Sequence, residues 1–448
     1  MKKLSLRMIV LLIGVLMVSS CDKDEDKNDD KIPDNTNTIV DVASANDDFS
    51  MLVDALILAD LDDVLSDEDA KFTVFAPTNT AFESLLTELG YDDLEDIPTE
   101  TLTSVLLYHV MDGEAEASDV QTGYYSTKSD GPEDNYTLSI YVDMEAEMIN
   151  SRATITDTDI LADNGVIHVV DKVLLPLSLS GHAAANSAFS ILEEIVSKAN
   201  LTETLNSELI SFTVFAPVDA AFVELFTNLG FTLDDMSVEE LTPILLYHVI
   251  EGIIPSADLV SGYIYTQSSV GDENVSLQIS VGENVILNGN SQVIVADVVA
   301  TNGIIHAIDE VLIPPALVDL ALDNSDFSYL VEALVKADLV EALSSEGPFT
   351  VFAPTNTAFE ALFEALDVEG INGIDDETLE AVLLSHVVSG YYLSTDLSNG
   401  TLQTLNAEKA LSINVDNGVV IEGDINVVLA DIKGTNGVVH VIDKVIVP

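Results

Sequence analysis

One cysteine, Cys21, stands in 448 residues, so no intrachain disulfide can form and stability has to come from packing. Bases are scarce as well. Lys and Arg together number 15 against 78 Asp and Glu, a formal net charge of -63. That field repels phosphate backbones and excludes nucleic acid as a partner, and it opposes electrostatic docking on anionic lipid. A long apolar run is missing too. The N-terminal stretch from Met8 to Val18 is about half the ~20 residues that a spanning helix needs. The sequence contains no G-x-S-x-G, no CxxC, no H-E-x-x-H and no phosphate-binding glycine loop, so a hydrolase, a zinc peptidase or a nucleotide enzyme finds no foothold. The expectation is therefore a protein that is not an enzyme and takes no cofactor and no metal.

What is present begins with an address. Lys2, Lys3 and Arg7 precede the short apolar run, the pattern of a signal peptide over residues 1–20. The run ends in Val18-Ser19-Ser20-Cys21, small residues before a cysteine, which resembles a bacterial lipobox with Cys21 as the lipid attachment point. Residues 21–37 follow as an acidic tether, opening with Asp22-Lys23-Asp24-Glu25-Asp26. Such a run stays solvated, with a coil span of about 20–25 Å. A lysine and acids directly after the lipid cysteine also resemble a surface-export signal of bacterial lipoproteins. The expected location is the outer membrane or cell surface, held by lipid.

The rest of the chain repeats. Phe72-Thr73-Val74-Phe75-Ala76-Pro77 returns as Phe212 to Pro217 and as Phe349 to Pro354. Asn164-Gly165-Val166-Ile167-His168 returns as Asn302 to His306 and as Asn436 to His440. Leu106 to Val110 returns as Leu245 to Val249 and, with Ser385 in place of the tyrosine, as Leu383 to Val387. The interval of about 138 residues far exceeds the roughly 20–50 of a solenoid, so each unit is a domain. The boundaries fall at 38–176, 180–314 and 315–448, and the Pro314-Pro315 joint and short linkers predict a monomeric rod.

Within a unit the hydrophobic period changes. Phe49, Leu52, Val53, Leu56 and Ala59 have helical spacing, and Phe82, Leu85, Leu86 and Leu89 form a stripe over 79–89. Thr99 is a candidate cap for a helix running to about Val110. Phe72 to Ala76 reads as a buried strand, and Tyr136 to Val142, Met148-Ile149, Thr154-Ile155 and Val166 to Val173 read as short strands, with Asn164-Gly165 as a turn requiring positive φ. The fold class is α+β, with helices concentrated in the first half and strands in the second.

These blocks, F-T-V-F-A-P, Tyr-His after a leucine-rich helix, and N-G-x-[IV]-H, resemble the fasciclin domain family, three times over residues 38–448. The resemblance implies a wedge-shaped β-sandwich with helices packed from its N-terminal half. It also implies adhesion to cell-surface or matrix proteins. In animal members the Tyr-His region and an Asp-Ile pair are tied to receptor binding. Tyr108-His109 and Tyr247-His248 match the first, Asp159-Ile160 and Asp431-Ile432 the second, and these eight are the candidate interaction residues. Folding competes as an explanation: His109 and His248 lie on apolar helical stripes, Ile160 suits a core, and Asp159 a turn. A metal would need His109, His168 and Asp171 to converge. Tyr124, Tyr125, Tyr263 and Tyr265, near glycines, offer rings for sugars, so polysaccharide is the alternative partner to protein.

Overall fold

The computed structural model describes residues 37–448, Glu208 excepted. The expected signal peptide, the expected lipid attachment at Cys21 and the expected tether up to residue 36 lie outside them. Residues 37–448 form one compact unit. Among the described residues no helix is long and apolar enough to cross a membrane.

Domain 1 opens with α1 (Ile39–Ser44), whose first turn is closed by a capping box between Thr38 and Asp41. Next come α2 (Ser50–Leu58) and α3 (Asp62–Leu65), then β1 (Phe72–Pro77) and α4 (Asn79–Leu89). Thr78 caps α4 at its start, and Gly90, at φ +73°, ends it. Helix α5 (Thr99–Leu107) begins at Thr99 itself, with Pro98 in the cap position, so Thr99 is the first helical residue rather than the cap. The strands β2 (Val110–Asp112), β3 (Gly123–Asp130), β4 (Thr137–Asp143), β5 (Met148–Ile149), β6 (Ala153–Ala162) and β7 (Gly165–Val170) complete the unit.

The strand order is β2-β1-β7-β6-β5-β4-β3, and β1 pairs parallel with β7 from Phe72↔Gly165 to Pro77↔Val170. All six residues of β1 are buried because both its faces are covered. Phe72, Val74 and Ala76 pack under the helices with Leu52, Leu56 and Phe82. Phe75 points the other way, into a second core with Leu138, Ile140 and Val142 of β4. The sheet thus folds over on itself, and the long strand β6 belongs to both halves: its start pairs with β5, its remainder with β7. The helices cover one outer face. Domains 2 and 3 repeat this order of seven strands.

Asn164 lies in the turn between β6 and β7 and Gly165 opens β7 at φ +157°, as expected of a position needing positive φ; contact demands a glycine there as well, since a Cβ at Gly165 would sit 2.1 Å from the Phe72 carbonyl oxygen. β3 is a strand that no apolar alternation in its sequence announces.

Candidate functional site

The residues singled out by repetition fall into three clusters, each built the same way in successive domains. At the end of α5, His109 is buried and its Nδ1 lies 2.7 Å from the Val105 carbonyl oxygen, while Nε2 accepts from the Leu174 N–H at 2.8 Å. His248 repeats this with Ile244 and Leu312, and His386 with Val382 and Ile446. One nitrogen donates and one accepts, so the ring is neutral. Burial pulls all three pKa values down to about 4, the bonded carbonyl opposing. Each ring ties the segment after the last strand back to the helix, and neither nitrogen is left for a metal or a proton transfer.

The second cluster sits in the middle of β6. The ladder slips between Asp157 and Ile160, and Asp159 adopts φ +60°. Asp297 and Asp431 do the same at φ +60° and +63°. A non-glycine residue in that region is held by its surroundings. Here the Asp159 N–H faces His168 Nδ1 at 3.4 Å, its carboxylate accepts from the Ala117 N–H at 2.7 Å, and His168 Nε2 reaches the Ala115 carbonyl at 2.9 Å. In domain 3 the Asp431 carboxylate takes both the N–H and the hydroxyl of Ser394, at 2.7 and 2.6 Å. In domain 2 Asp297 holds Ser256 the same way. Ile160 is half-buried against the helical core, and Ile432 is buried. His109 and His168 therefore serve separate staples. Asp171 is used elsewhere, accepting from the Thr154 N–H. Among the described residues no three His, Cys, Asp or Glu side chains are placed to hold a metal ion.

The third cluster lies where one domain meets the next. Tyr108 is fully buried and donates to the Ser139 carbonyl at 2.6 Å, with Asn150 donating to its hydroxyl at 3.0 Å. The Ser139 hydroxyl then accepts from the Val299 N–H of domain 2 at 3.0 Å. One domain further on, Tyr247 is equally buried and donates to the Ser276 carbonyl, and the Ser276 hydroxyl accepts from the Lys433 N–H of domain 3 at 2.9 Å. The tyrosines proposed for sugars belong to the same contact. The Tyr124 hydroxyl receives Asn186 of domain 2, and its ring meets His182 edge-on at 5.7 Å. The Tyr263 hydroxyl receives Asn324 of domain 3. Lys433 lies over the Tyr265 ring, 4.5 Å from its centre, and pairs with Glu273. Tyr125 turns back to bond Gln121. Of the four tyrosines offered for sugars, Tyr124 and Tyr263 are thus engaged by a neighbouring domain, while Tyr265 is 46% exposed.

Domain 3 departs at each of these positions. Ser385 stands where Tyr108 and Tyr247 stand and is bonded instead by Asn406; Thr401 replaces Tyr124 and Tyr263, and Ala410 replaces Ser139 and Ser276. The sequence reading missed Ser139, Asn186, Ser276 and Asn324, although their equal offsets within the repeats were there to be found.

Three stretches, 47–176, 187–314 and 325–448, match the fasciclin domain. The transforming growth factor-beta-induced protein ig-h3 of Sus scrofa is 30% identical over 420 residues, 92% of this chain and 58% of that protein. Periostin of Homo sapiens is 27% identical over 420 residues, 92% of this chain and 47% of its own length. The chain thus spans about half the length of these relatives. Protein sll1483 of Synechocystis is 44% identical over 132 residues, 30% of this chain and 73% of that protein.

Proposed function

Because the chain belongs to the fasciclin domain family, we propose that it is an exported, lipid-anchored surface protein whose three domains adhere to proteins of other surfaces or of a matrix. The observation that carries this reading is the repeated junction. The same serine, tyrosine and asparagine contacts join domain 1 to 2 and domain 2 to 3, so successive domains share one orientation. Equivalent faces are then presented at a fixed spacing, and weak contacts add as avidity. Export and anchoring rest on residues 1–20 and Cys21. A non-catalytic role is supported by what the repeated polar residues do: the imidazoles and the bulge carboxylates are bonded to backbone. The partner surface has to come from residues other than Tyr108, His109, Tyr247 and His248, whose side chains are buried.

The test is a titration of the full chain over immobilised surface proteins and, separately, extracellular polysaccharide of the cells that make it, with and without EDTA. Saturable, EDTA-resistant binding to the protein fraction is expected. Binding to polysaccharide alone would replace this reading with a glycan-capture role, and binding to neither would overturn adhesion.

A further inference from the structure

The three domains differ in the core under the opening helix. In domain 2, beneath the helix Leu179–Ala185, lies a pocket of about 410 Å³. The matching spaces in domains 1 and 3 measure about 10 and 30 Å³. The exposure of its walls tells the same story. Ala183, Leu205 and Val214 are only half-buried, whereas Ala43, Leu65 and Val74 of domain 1 and Ala321, Leu343 and Val351 of domain 3 are buried. Domain 2 therefore leaves apolar side chains open to a cavity that its neighbours fill.

The sequence supplies part of the reason. Ser180 stands where domains 1 and 3 have Val40 and Val318, Gly181 where they have Asp41 and Asp319, and Val196 where they have Leu56 and Leu334. The changes at 180 and 196 remove volume from the wall; Asp41 and Asp319 are exposed, so Gly181 does not add to the space. Close packing is the rule in protein interiors, and a void of this size forfeits contacts on every side, so it has to be set against a use.

The lining defines the chemistry. The depth is Leu192, Val196, Phe212, Val214, Leu245 and Ile305, all apolar. Polar groups gather among Ser180, Ser197, Thr202, Thr204 and Gln267, and among the described residues the one charged member of the lining is Glu193, which is exposed. Among the described residues no Lys or Arg lines the space. His248 borders it, but both its ring nitrogens are taken by backbone. A carboxylate or phosphate would meet Glu193 and a chain of net charge -63 with no cation to receive it. We propose that domain 2 binds an uncharged, largely apolar small molecule in this pocket, with its hydrocarbon body inside and a hydroxyl-class end among the serines and threonines. At ~30 Å³ per water-sized group the pocket holds on the order of fourteen heavy atoms, and its size falls in the roughly 300–1,000 Å³ range of ligand sites. This goes beyond adhesion and does not depend on it.

The experiment uses the full chain, freed of apolar contaminants on a hydrophobic resin and titrated by calorimetry with 1-dodecanol and with dodecanoate. One molecule of dodecanol per chain is expected, with dodecanoate at least ten-fold weaker. The double variant S180V/V196L gives domain 2 the residues of its neighbours, and it is expected to lose dodecanol binding at least ten-fold while melting no lower than the parent. The rim variant E193K leaves the core intact and is expected to narrow the gap between dodecanoate and dodecanol. Absence of dodecanol binding to the parent, or binding undiminished in a folded S180V/V196L chain, overturns the proposal. If S180V/V196L fails to fold, E193K decides: an unchanged preference between the two probes overturns it.

Discussion

At the residue scale the imidazoles set the response to acid. His109, His182, His248 and His386 are buried and held at about 4, against roughly 6.5 in an unfolded chain. The unfolded state therefore takes up protons below about pH 6.5 that the folded state refuses until about pH 4. Stability is full above pH 6.5 and falls as pH drops through that window, by an amount on the order of 3 kcal/mol for each fully buried ring. Thermal melts at pH 7.5 and 5.0 are expected to show a marked loss at the lower pH. H182L, which copies Leu320 of domain 3, is expected to reduce the loss, because His182 sits against Tyr124 at the first junction. A pH-independent melt would refute the assignment of these rings as neutral.

Asp323 works in the opposite sense. Burial, with Asp319 nearby, raises its pKa to about 6, and it caps the C-terminus of the helix Leu317–Leu322, where a negative charge is disfavoured. A raised carboxyl pKa means stability is greatest below the unfolded value near 3.9 and is lost as pH rises through 6. D323N is expected to melt higher than the parent at pH 8, with the difference closing by pH 5. A variant that gains nothing at pH 8 would show that the carboxylate is comfortable where it stands.

At the element scale, the N-G block clamps as well as turns. Asn164 is buried; its Oδ1 accepts from the Ile39 N–H, and its Nδ2 donates to the Leu65 and Asp67 carbonyls. It therefore joins the start of α1 and the end of α3 to the β6–β7 connection. N164A strands three buried or half-buried backbone groups, a cost of about 2–4 kcal/mol. Urea unfolding with domain-resolved hydrogen exchange should show α1 and α3 losing protection first. Unchanged exchange in α1 would mean the clamp is redundant.

This element also shows what sequence could and could not give. Helices α2 and α4 and strands β1, β4 and β7 were legible because their apolar residues keep one period, with Pro77 and Gly90 ending β1 and α4 and Gly165 opening β7. β3 was not, because its buried positions are the polar Thr127 and Ser129, bonded to Leu138 and Ser104 of their own domain, so no apolar period marks the strand. Tyr108-His109 and Asp159-Ile160 were recognisable as special by repetition. Repetition alone does not separate a residue kept for binding from one whose bonds hold a bulge or a strand end, and that distinction needed the partners at 2.6–3.4 Å.

At the scale of the whole molecule, one position occurs in three environments, which makes the junction testable. Leu161, Val299 and Lys433 occupy the same place on their strands, each beside its domain's buried isoleucine or valine. Val299 is 4% exposed and joins the β-core of domain 1, and Lys433 spans to Glu273 of domain 2. Leu161, at the matching place in domain 1, is 63% exposed. Interfaces between domains of one chain usually permit movement unless they are large and apolar, so the buried valine and its hydrogen bond to Ser139 should matter out of proportion to their size. V299D places a charge in an apolar site and is expected to cost about 3 kcal/mol or more, to lower the melting temperature, and to increase the radius of gyration in small-angle scattering as domain 1 swings free of domain 2. L161D, the same chemical change at the matching place, is expected to stay within about 0.5 kcal/mol of the parent and leave the scattering unchanged. If the adhesive reading is right, V299D also weakens binding to a multivalent surface more than to a single soluble partner, because only the former needs the domains in register. Equal effects of the two aspartates would mean the junction is no firmer than an ordinary linker, and the fixed spacing on which avidity depends would be lost with it.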